Sequence, residues 1–282
     1  MLRLVFIIVL IAIPIGAQAQ KMWEIGVVGE IEKDSLFHSA GFTCLIDNAG
    51  RLFSPKNVSD EQFESKLAMI KASKITLMGV NVFMPGDMKL VGPAVDEQRI
   101  LAHATTVFKR CKAAGVKMVV WGSGGARRIP DGFDPATARN QFIDIARKVA
   151  PIAKKYGVVL AFESLNSTET NFINTAEQAL QLVQEVDHRS FRLNIDFYHM
   201  LMEGEGPAII EKAGKYVVHC ELAEKEGRSA PGVHHQDFVP YFQMMKKIKY
   251  KGKVIIECQW KDVDQQAATA YKEIEKQIKA VF

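Results

Sequence analysis

The sequence predicts a single α/β domain with the architecture of a (β/α)₈ barrel, and two observations favour it. Short apolar segments of strand length alternate with amphipathic segments of helix length along the chain, a rhythm that indicates a parallel sheet covered by helices. Eight such units in about 260 residues match the usual size of a closed eight-stranded barrel. A doubly wound open sheet is the alternative, and it is less favoured because no GxGxxG motif follows the first strand.

The predicted strands are apolar runs rich in Val, Ile and Leu, as expected for strands of a parallel sheet that are buried on both faces. Turn residues mark their ends, for example Pro85-Gly86 after the third strand. The eight predicted strands are Trp23–Gly29, Phe42–Asp47, Ile75–Met84, Val116–Trp121, Val158–Glu163, Phe191–Asp196, Tyr216–Glu221 and Lys253–Glu257.

The predicted helices begin at capping residues and several end at glycine. Ser59 or Asp60 caps one helix, and Gly115 and Gly157 follow the ends of two others. The first helix is the weakest, because its apolar pattern is short. The predicted helices are Ile31–Ala40, Ser59–Ala72, Asp96–Ala114, Asp134–Tyr156, Thr175–Val186, Pro207–Ala213, Asp237–Ile248 and Asp264–Val281.

Residues 1–19 have the pattern of a signal peptide. Arg3 supplies the positive charge, Leu4–Ile15 the apolar segment, and Ala17-Gln18-Ala19 the cleavage site. We expect cleavage after Ala19, a single domain over residues 20–282, and a periplasmic or secreted protein that does not contact the membrane after cleavage. A retained N-terminal anchor is the alternative.

Composition argues against two classes of protein. A formal net charge of +4 without a run of Lys or Arg gives no support for nucleic-acid binding. Four cysteines in 282 residues, with no CxxC spacing, do not form a disulfide framework or a zinc motif. We expect them to be buried free thiols.

Carboxylates recur at the ends of the last four predicted strands, one on each strand. In a barrel the carboxyl ends of the strands meet at one face, so these side chains are expected to converge. Like charges brought together in a desolvated site need compensation, and an all-oxygen donor set favours a divalent cation such as Mg²⁺ or Mn²⁺. The predicted metal ligands are Glu163, Asp196, Glu221 and Glu257.

Sequence motifs in the second half of the chain carry a family resemblance. They are E-S-L-N at Glu163, D-F-Y-H at Asp196, R-S-A-P-G at Arg228 and I-I-E ending at Glu257. Over Val158–Trp260 the chain resembles the xylose-isomerase-like TIM-barrel superfamily, in particular its ketose 3-epimerase and hydroxypyruvate isomerase branch. The resemblance implies proton transfer next to the carbonyl of a keto sugar, with Glu163 and Glu257 as the catalytic acid/base pair.

The resemblance also implies the substrate contacts and reveals one departure. His199, Arg228, Glu169 and Asn166 are expected to bind the sugar, and strand-end aromatics Trp121 and Trp260 are expected to line the pocket. The family places a metal-binding histidine on strand seven within an H-x-H motif. This chain has His219-Cys220-Glu221, so a glutamate stands at the ligand position. We expect His219 to be a hydrogen-bonded core residue one layer deeper.

Four functions remain open at this stage. The leading hypothesis is an exported, metal-dependent isomerase or epimerase of a small-molecule sugar, with homo-oligomerisation left open. A lyase or hydratase acting on an oxidised glycoside would use a similar site, and the signal peptide favours that alternative. A DNA-repair endonuclease needs more histidine ligands and a basic face, and neither is evident. A non-catalytic sugar-binding barrel is the fourth alternative.

Overall fold

The strands close into a parallel barrel in which each strand pairs with the next along the chain and β1 pairs with β8. This arrangement is seen in a computed structural model that describes residues 21–282. Closure excludes the open sheet and confirms the predicted (β/α)₈ barrel. The predicted signal peptide lies outside the described residues.

The observed strands fall within or beside the predicted segments and are mostly shorter. The adjacent residues belong to the loops that carry the strand-end side chains. The strands are β1 Ile25–Val28, β2 Cys44–Asn48, β3 Thr76–Asn81, β4 Met118–Trp121, β5 Val159–Phe162, β6 Phe191–Asp196, β7 Val217–Leu222 and β8 Val254–Ile256.

The helices include every predicted one. Three further short helices, which were not predicted, come soon after β2, β4 and β6. Among the described residues, none is long and apolar enough to cross a membrane. The helices are α1 Asp34–Ala40, α2 Ala49–Leu52, α3 Asp60–Ala72, α4 Glu97–Ala114, α5 Gly124–Arg127, α6 Pro135–Lys155, α7 Ala176–Val186, α8 Phe197–Met202, α9 Ala208–Ala213, α10 Val239–Lys247 and α11 Val263–Lys279.

Two apolar clusters hold the fold together. A large one fills the space between the barrel and the helices, and a small one fills the barrel interior around Cys44, Ile46, Val120 and Ile255. The interior is tight at Gly26, because a Cβ there would lie 2.5 Å from both Cys44 Sγ and Ile255 Cδ1. All four cysteines are free, and all except the partly buried Cys258 are buried, as predicted. The packed interior leaves no room for a polar site among these residues, so the site lies at an end of the barrel.

Candidate active site at the carboxyl ends of the strands

The four strand-end carboxylates come together at the barrel mouth. One oxygen from each of Glu163, Asp196, Glu221 and Glu257 lies within 4.8 Å of those of the other three. Alternation along each strand turns these side chains inward, and Asp196 pairs in register with Glu221. The first three are buried and Glu257 is partly buried.

The donor set of this cluster fits a divalent cation. Glu163 Oε1, Asp196 Oδ2 and Glu221 Oε1 are buried and, within residues 21–282, have no hydrogen-bond partner. Unpaired buried carboxylate oxygens are costly, and a cation bound between them would remove that cost. Oxygen ligands of this type are those that hard divalent cations prefer. The cluster could therefore hold a metal ion.

Glu221 lies deepest in the cluster and is fully buried. Asn194 Nδ2 donates a hydrogen bond to Glu221 Oε2 at 2.5 Å, and His219 Nε2 lies 3.3 Å from Glu221 Oε1. His219 is fully buried as expected. The expected hydrogen bonds are absent, however, because neither of its ring nitrogens has a partner among the described residues. The expectation of a hydrogen-bonded histidine is therefore wrong, and His219 instead faces the Glu221 carboxylate.

The D-x-x-H spacing has a local structural cause. Asp196 ends β6 and caps α8, since its Oδ1 accepts hydrogen bonds from the backbone N–H of Tyr198 at 2.7 Å and of His199 at 3.4 Å. Capping uses one carboxylate oxygen and leaves Oδ2 directed into the cluster. His199, in the first turn of α8, is thereby held with its Nε2 3.7 Å from Asp196 Oδ2 and 3.7 Å from Glu163 Oε1.

The hydrogen bonds of His199 assign its tautomer. The backbone N–H of Asn166 donates to Nδ1 at 3.1 Å, and the Asn166 side chain lies 2.9 Å from the same atom. Nδ1 is therefore the acceptor, and in the neutral ring Nε2 carries the proton. Burial lowers the pKa of His199 to about 4, so the ring is neutral at neutral pH. A protonated Nε2 can donate a hydrogen bond to a substrate oxygen but cannot bind a metal.

Arg228 connects the carboxylates across the mouth. Its Nη2 donates to Glu257 Oε2 and lies 4.0 Å from Asp196 Oδ2, while Nη1 donates to Glu169 Oε1 at 3.1 Å. The guanidinium also lies 4.7 Å from the centre of the Tyr198 ring. Burial opposes its charge, but the surrounding carboxylates, Glu257 foremost, raise its pKa above the usual value. Arg228 is therefore a permanent cation beside the cluster.

The acids of the cluster hold their protons unusually tightly. Burial is the main cause, and the neighbouring carboxylates add to it: the pKa of Glu163 rises well above its ordinary value and that of Glu257 rises to about 8. Burial also raises the pKa of Asp196, although the Arg228 charge opposes this. Acids whose pKa is raised from the ordinary carboxyl value are candidates for a general acid and a general base.

Three further residues shape the site and were missed from the sequence. Asn81, at the end of β3, donates to Glu257 Oε1 at 2.9 Å. Gly122, directly after β4, leaves room for the Glu163 carboxylate, because a Cβ there would lie 2.5 Å from Oε2. Arg127 is fully buried on α5, 4.9 Å from the Phe162 ring. Burial lowers the pKa of Arg127 to about 10, although the charge of Glu163 opposes this. The position of Asn81 and Gly122 at strand ends was the available signal.

The two predicted tryptophans lie elsewhere. Trp121 is fully buried in the layer between barrel and helices, with Phe83 and Phe142 each 5.3 Å away between ring centres. It points outward because its neighbour Val120 points into the barrel, so the prediction that Trp121 lines the pocket is wrong. Trp260 is partly buried and lines a separate depression beside Lys33.

The predicted sugar contacts are otherwise gathered around one cavity. It has a volume of about 240 Å³ and its lining includes Glu163, Glu169, Arg228 and Glu257. Asn166 and His199 stand behind it, joined by the hydrogen bonds described above. The structure thus brings together every predicted site residue except Trp121 and Trp260.

Comparison with known proteins extends these findings. The profile of the xylose isomerase-like TIM barrel family matches residues 36–280. A D-psicose 3-epimerase from Ruminiclostridium cellulolyticum is 32% identical over 41% of this chain and 39% of its own length. A 3-dehydro-D-guloside 4-epimerase from Escherichia coli K12 is 26% identical over 59% of this chain and 67% of its own length.

A solved structure supports the fold over nearly the whole described chain. D-psicose 3-epimerase with D-tagatose from Clostridium cellulolyticum H10 superposes with a TM-score of 0.74 at 21% identity, covering 92% of this chain and 98% of that one. At this identity the likeness concerns the fold alone. The sequence match to the D-psicose 3-epimerase from R. cellulolyticum covers about two fifths of that relative's length.

Proposed function

The chain belongs to the xylose isomerase-like TIM barrel family, and from this we propose that it is a sugar isomerase or epimerase. In this proposal it moves a proton next to the carbonyl of a keto sugar. Sequence relatives that act as epimerases on a free ketose and on a keto-glycoside support this reaction class. A lyase or hydratase, the alternative considered from the sequence, has no support from the relatives described above.

One observation carries the proposal: Glu163 and Glu257 line the same small cavity, and both have a raised pKa. An isomerase or epimerase needs one group to remove a proton from carbon and another to return it, each with a pKa near the working pH. Burial and the crowding of carboxylates raise the pKa of both residues from the ordinary carboxyl value, that of Glu257 to about 8.

The side chains divide the proposed reaction between them. Glu163 removes the proton from the carbon next to the carbonyl, and Glu257 delivers a proton to the enediolate that results. The Nε2–H of His199 and the Arg228 guanidinium donate hydrogen bonds to substrate oxygens and stabilise the negative charge as it develops. Asn81 and Arg228 hold the Glu257 carboxylate in place.

A divalent cation is part of the proposal, with Mn²⁺ or Mg²⁺ as the proposed ion. The four carboxylates would hold it, and it would supply Lewis-acid polarisation of the substrate carbonyl. Glu221 is proposed as a ligand at the position where the family has histidine. Metal content of the purified protein, measured by elemental analysis, tests this: no bound divalent ion after supplementation with Mn²⁺ or Mg²⁺ would contradict it.

Isotope exchange tests the chemistry. Candidate keto sugars are incubated in D₂O with the protein and followed by NMR. Deuterium is expected at the carbon next to the carbonyl together with an isomeric product, and Glu163→Gln and Glu257→Gln should each lower the rate by about 10²-fold or more.

The controls separate the alternatives. Glu185→Gln changes an acid of similar size on the outer face of α7 and is expected to leave the exchange rate unchanged. Deuterium uptake accompanied by loss of water or an aglycone would favour the lyase. Sugar binding without any exchange would favour a non-catalytic barrel.

We also propose export, supported by the signal-peptide pattern of residues 1–19. Expression of the full chain followed by N-terminal sequencing of the protein in the periplasmic fraction tests this. The proposal predicts a mature N-terminus at Gln20. Retention of Met1 on a cytoplasmic protein would contradict it.

A further inference from the structure

A second, larger cavity adjoins the active site. It has a volume of about 730 Å³ and lies between the loops that follow β2 and β3 and the first turns of α3. Val82 lines both this cavity and the active-site cavity. The two spaces therefore meet at the carboxyl end of β3, next to Asn81, which holds Glu257.

The volumes of the two cavities suggest different occupants. The active-site cavity, at about 240 Å³, is smaller than the roughly 300–1,000 Å³ typical of sites for drug-sized ligands. It suits a single sugar ring. The adjoining cavity, at about 730 Å³, lies inside that range and has room for another ring. A substrate that spans both would be larger than a monosaccharide.

The lining of the second cavity is mixed, with polar side chains set among a larger apolar area. It includes Asn57 and Ser65, which are exposed, and Lys66, which is partly buried. Such groups can donate and accept hydrogen bonds with hydroxyl groups. The side chain of Val82 is the apolar part of the lining next to the active site, and it is 50% exposed. Polar groups around an exposed apolar side chain suit a sugar ring, which presents hydroxyls at its edge and C–H groups on its face.

The charge balance argues against an anionic ligand. Arg51 lines the cavity, but its guanidinium is already paired: Nε lies 3.2 Å from Asp47 Oδ1, and Nη2 lies 2.5 Å from Glu32 Oε2. Lys66 is then the one cation of the lining without an ion pair among the described residues. A phosphate or carboxylate is usually bound through charge-assisted hydrogen bonds from Arg or Lys side chains that are free to pair with it. An uncharged polyol fits this lining better.

The walls are ordered by contacts of their own. Asn57 Nδ2 donates to the Gly50 carbonyl at 3.0 Å, and Lys56 Nζ pairs with Asp87 Oδ1 at 2.7 Å. Val82 has a φ of 49°, a left-handed conformation that is an outlier for a β-branched residue. Such conformations persist only where the surroundings hold them, and they concentrate at ligand sites. Here the conformation places Val82 between the two cavities.

We propose that the second cavity binds the neighbouring sugar unit of a glycoside whose oxidised ring occupies the active site. This inference rests on the proposed function for the identity of the reacting ring. It makes a glycoside, and not a free monosaccharide, the preferred substrate. The second ring lies against Val82 and forms hydrogen bonds with Ser65 and Lys66.

Direct binding tests the second site without any turnover. Calorimetry and saturation-transfer NMR compare glucose with cellobiose, maltose and trehalose on the wild-type protein. At least one disaccharide is expected to bind about tenfold or more tightly than glucose, the effect of a few added contacts. Lys66→Met should bring the ratio of the two affinities close to one. Lys71→Met, on the exposed face of the same helix and remote from the cavity lining, is the matched control and should keep the ratio.

The kinetic test uses the corresponding keto sugars in D₂O. The ratio of kcat/KM for the keto-disaccharide to that for the free keto sugar should be about ten or more, and Lys66→Met should lower it toward one. Equal binding of glucose and all three disaccharides overturns the second site. Preferential disaccharide binding that Lys66→Met abolishes supports it, even if no keto sugar exchanges deuterium. In that case the proposed reaction alone fails.

Discussion

At the level of single residues, Glu221 determines the charge of the site. With a glutamate where the family has a histidine, four carboxylates surround the proposed metal position, so a dication would leave about two negative charges to be balanced. Arg228 contacts two of these carboxylates, and Arg127 is a second buried cation near Glu163. These two arginines supply positive charge that offsets the excess negative charge. A site with a neutral histidine in place of Glu221 would have one negative charge fewer to balance.

Glu221→Gln separates two effects of this negative charge: its effect on the stability of the metal-free protein and its contribution to metal binding. The glutamine keeps a side chain of the same shape and removes one buried negative charge. That charge contributes to the raised pKa of Glu163 and Glu257, so its removal should lower both. In EDTA at pH 8 the variant is expected to be more stable by about 1–2 kcal/mol. Divalent affinity should fall about tenfold or more, because a ligand is weakened.

Differential scanning calorimetry and metal titration measure the two effects. Glu64→Gln, on the exposed face of α3, is the control and should change neither quantity. An unchanged melting temperature together with unchanged metal affinity would place Glu221 outside the charged cluster in solution.

The positions of the acids could be predicted from sequence because alternation along a strand is a simple rule. Glu163, Asp196, Glu221 and Glu257 all follow it, and D-x-x-H follows from helix capping at Asp196. The same rule, applied to Trp121, would have turned it outward. The strand-end position of Asn81 was an available signal, whereas Arg127 could not be found in this way, since its role depends on which loops meet in space.

At the level of elements, the loop after β4 leaves space for Glu163, the proposed general base. Gly122 directly follows this strand, and a Cβ there would lie 2.5 Å from Glu163 Oε2. Gly122 opens a glycine-rich segment that provides space for a carboxylate following the neighbouring strand. A close approach of this kind depends on the register of β4 and β5, which composition does not reveal.

Gly122→Ala is therefore expected to displace Glu163 while leaving the barrel folded. A shift of about 1 Å in a catalytic group can lower the rate about 10²-fold, so deuterium exchange should fall by that order with a small change in melting temperature. Gly125→Ala, in the adjoining helix α5, is the matched control, because the nearest atom to its new Cβ would be 3.7 Å away. Equal activity of the two variants would show that Glu163 has room to move.

At the level of the whole molecule, barrel closure places four acids from four separate chain segments in one desolvated site. No local contact produces this arrangement, so the stability of the entire fold is linked to the protonation of the site. The first strands contribute Asn81 and the last ones the acids, and pairing of β1 with β8 joins the two halves. This linkage has a measurable sign.

In metal-free protein, stability should fall as the pH rises from about 6.5 to 8. The folded-state pKa of Glu257 is about 8, whereas an unfolded glutamate has a pKa of about 4.3. Between these values the folded state retains a proton that the unfolded state releases, so each increase in pH favours unfolding. The window begins at about 6.5 because His199, whose pKa is lowered to about 4, contributes the opposite slope below the pKa of an unfolded histidine.

Melting temperatures in EDTA across this window measure the slope, and Glu257→Gln should reduce it. Added Mn²⁺ should raise the melting temperature most at pH 8, because the cation competes with protons for the same carboxylates. Suppose that the melting temperature in EDTA is flat or rises with pH and is equal in the Glu257→Gln variant. That result would contradict the raised pKa of Glu257 in the folded protein. The size of the Mn²⁺ effect at each pH then measures how strongly binding at the barrel mouth stabilises the fold as a whole.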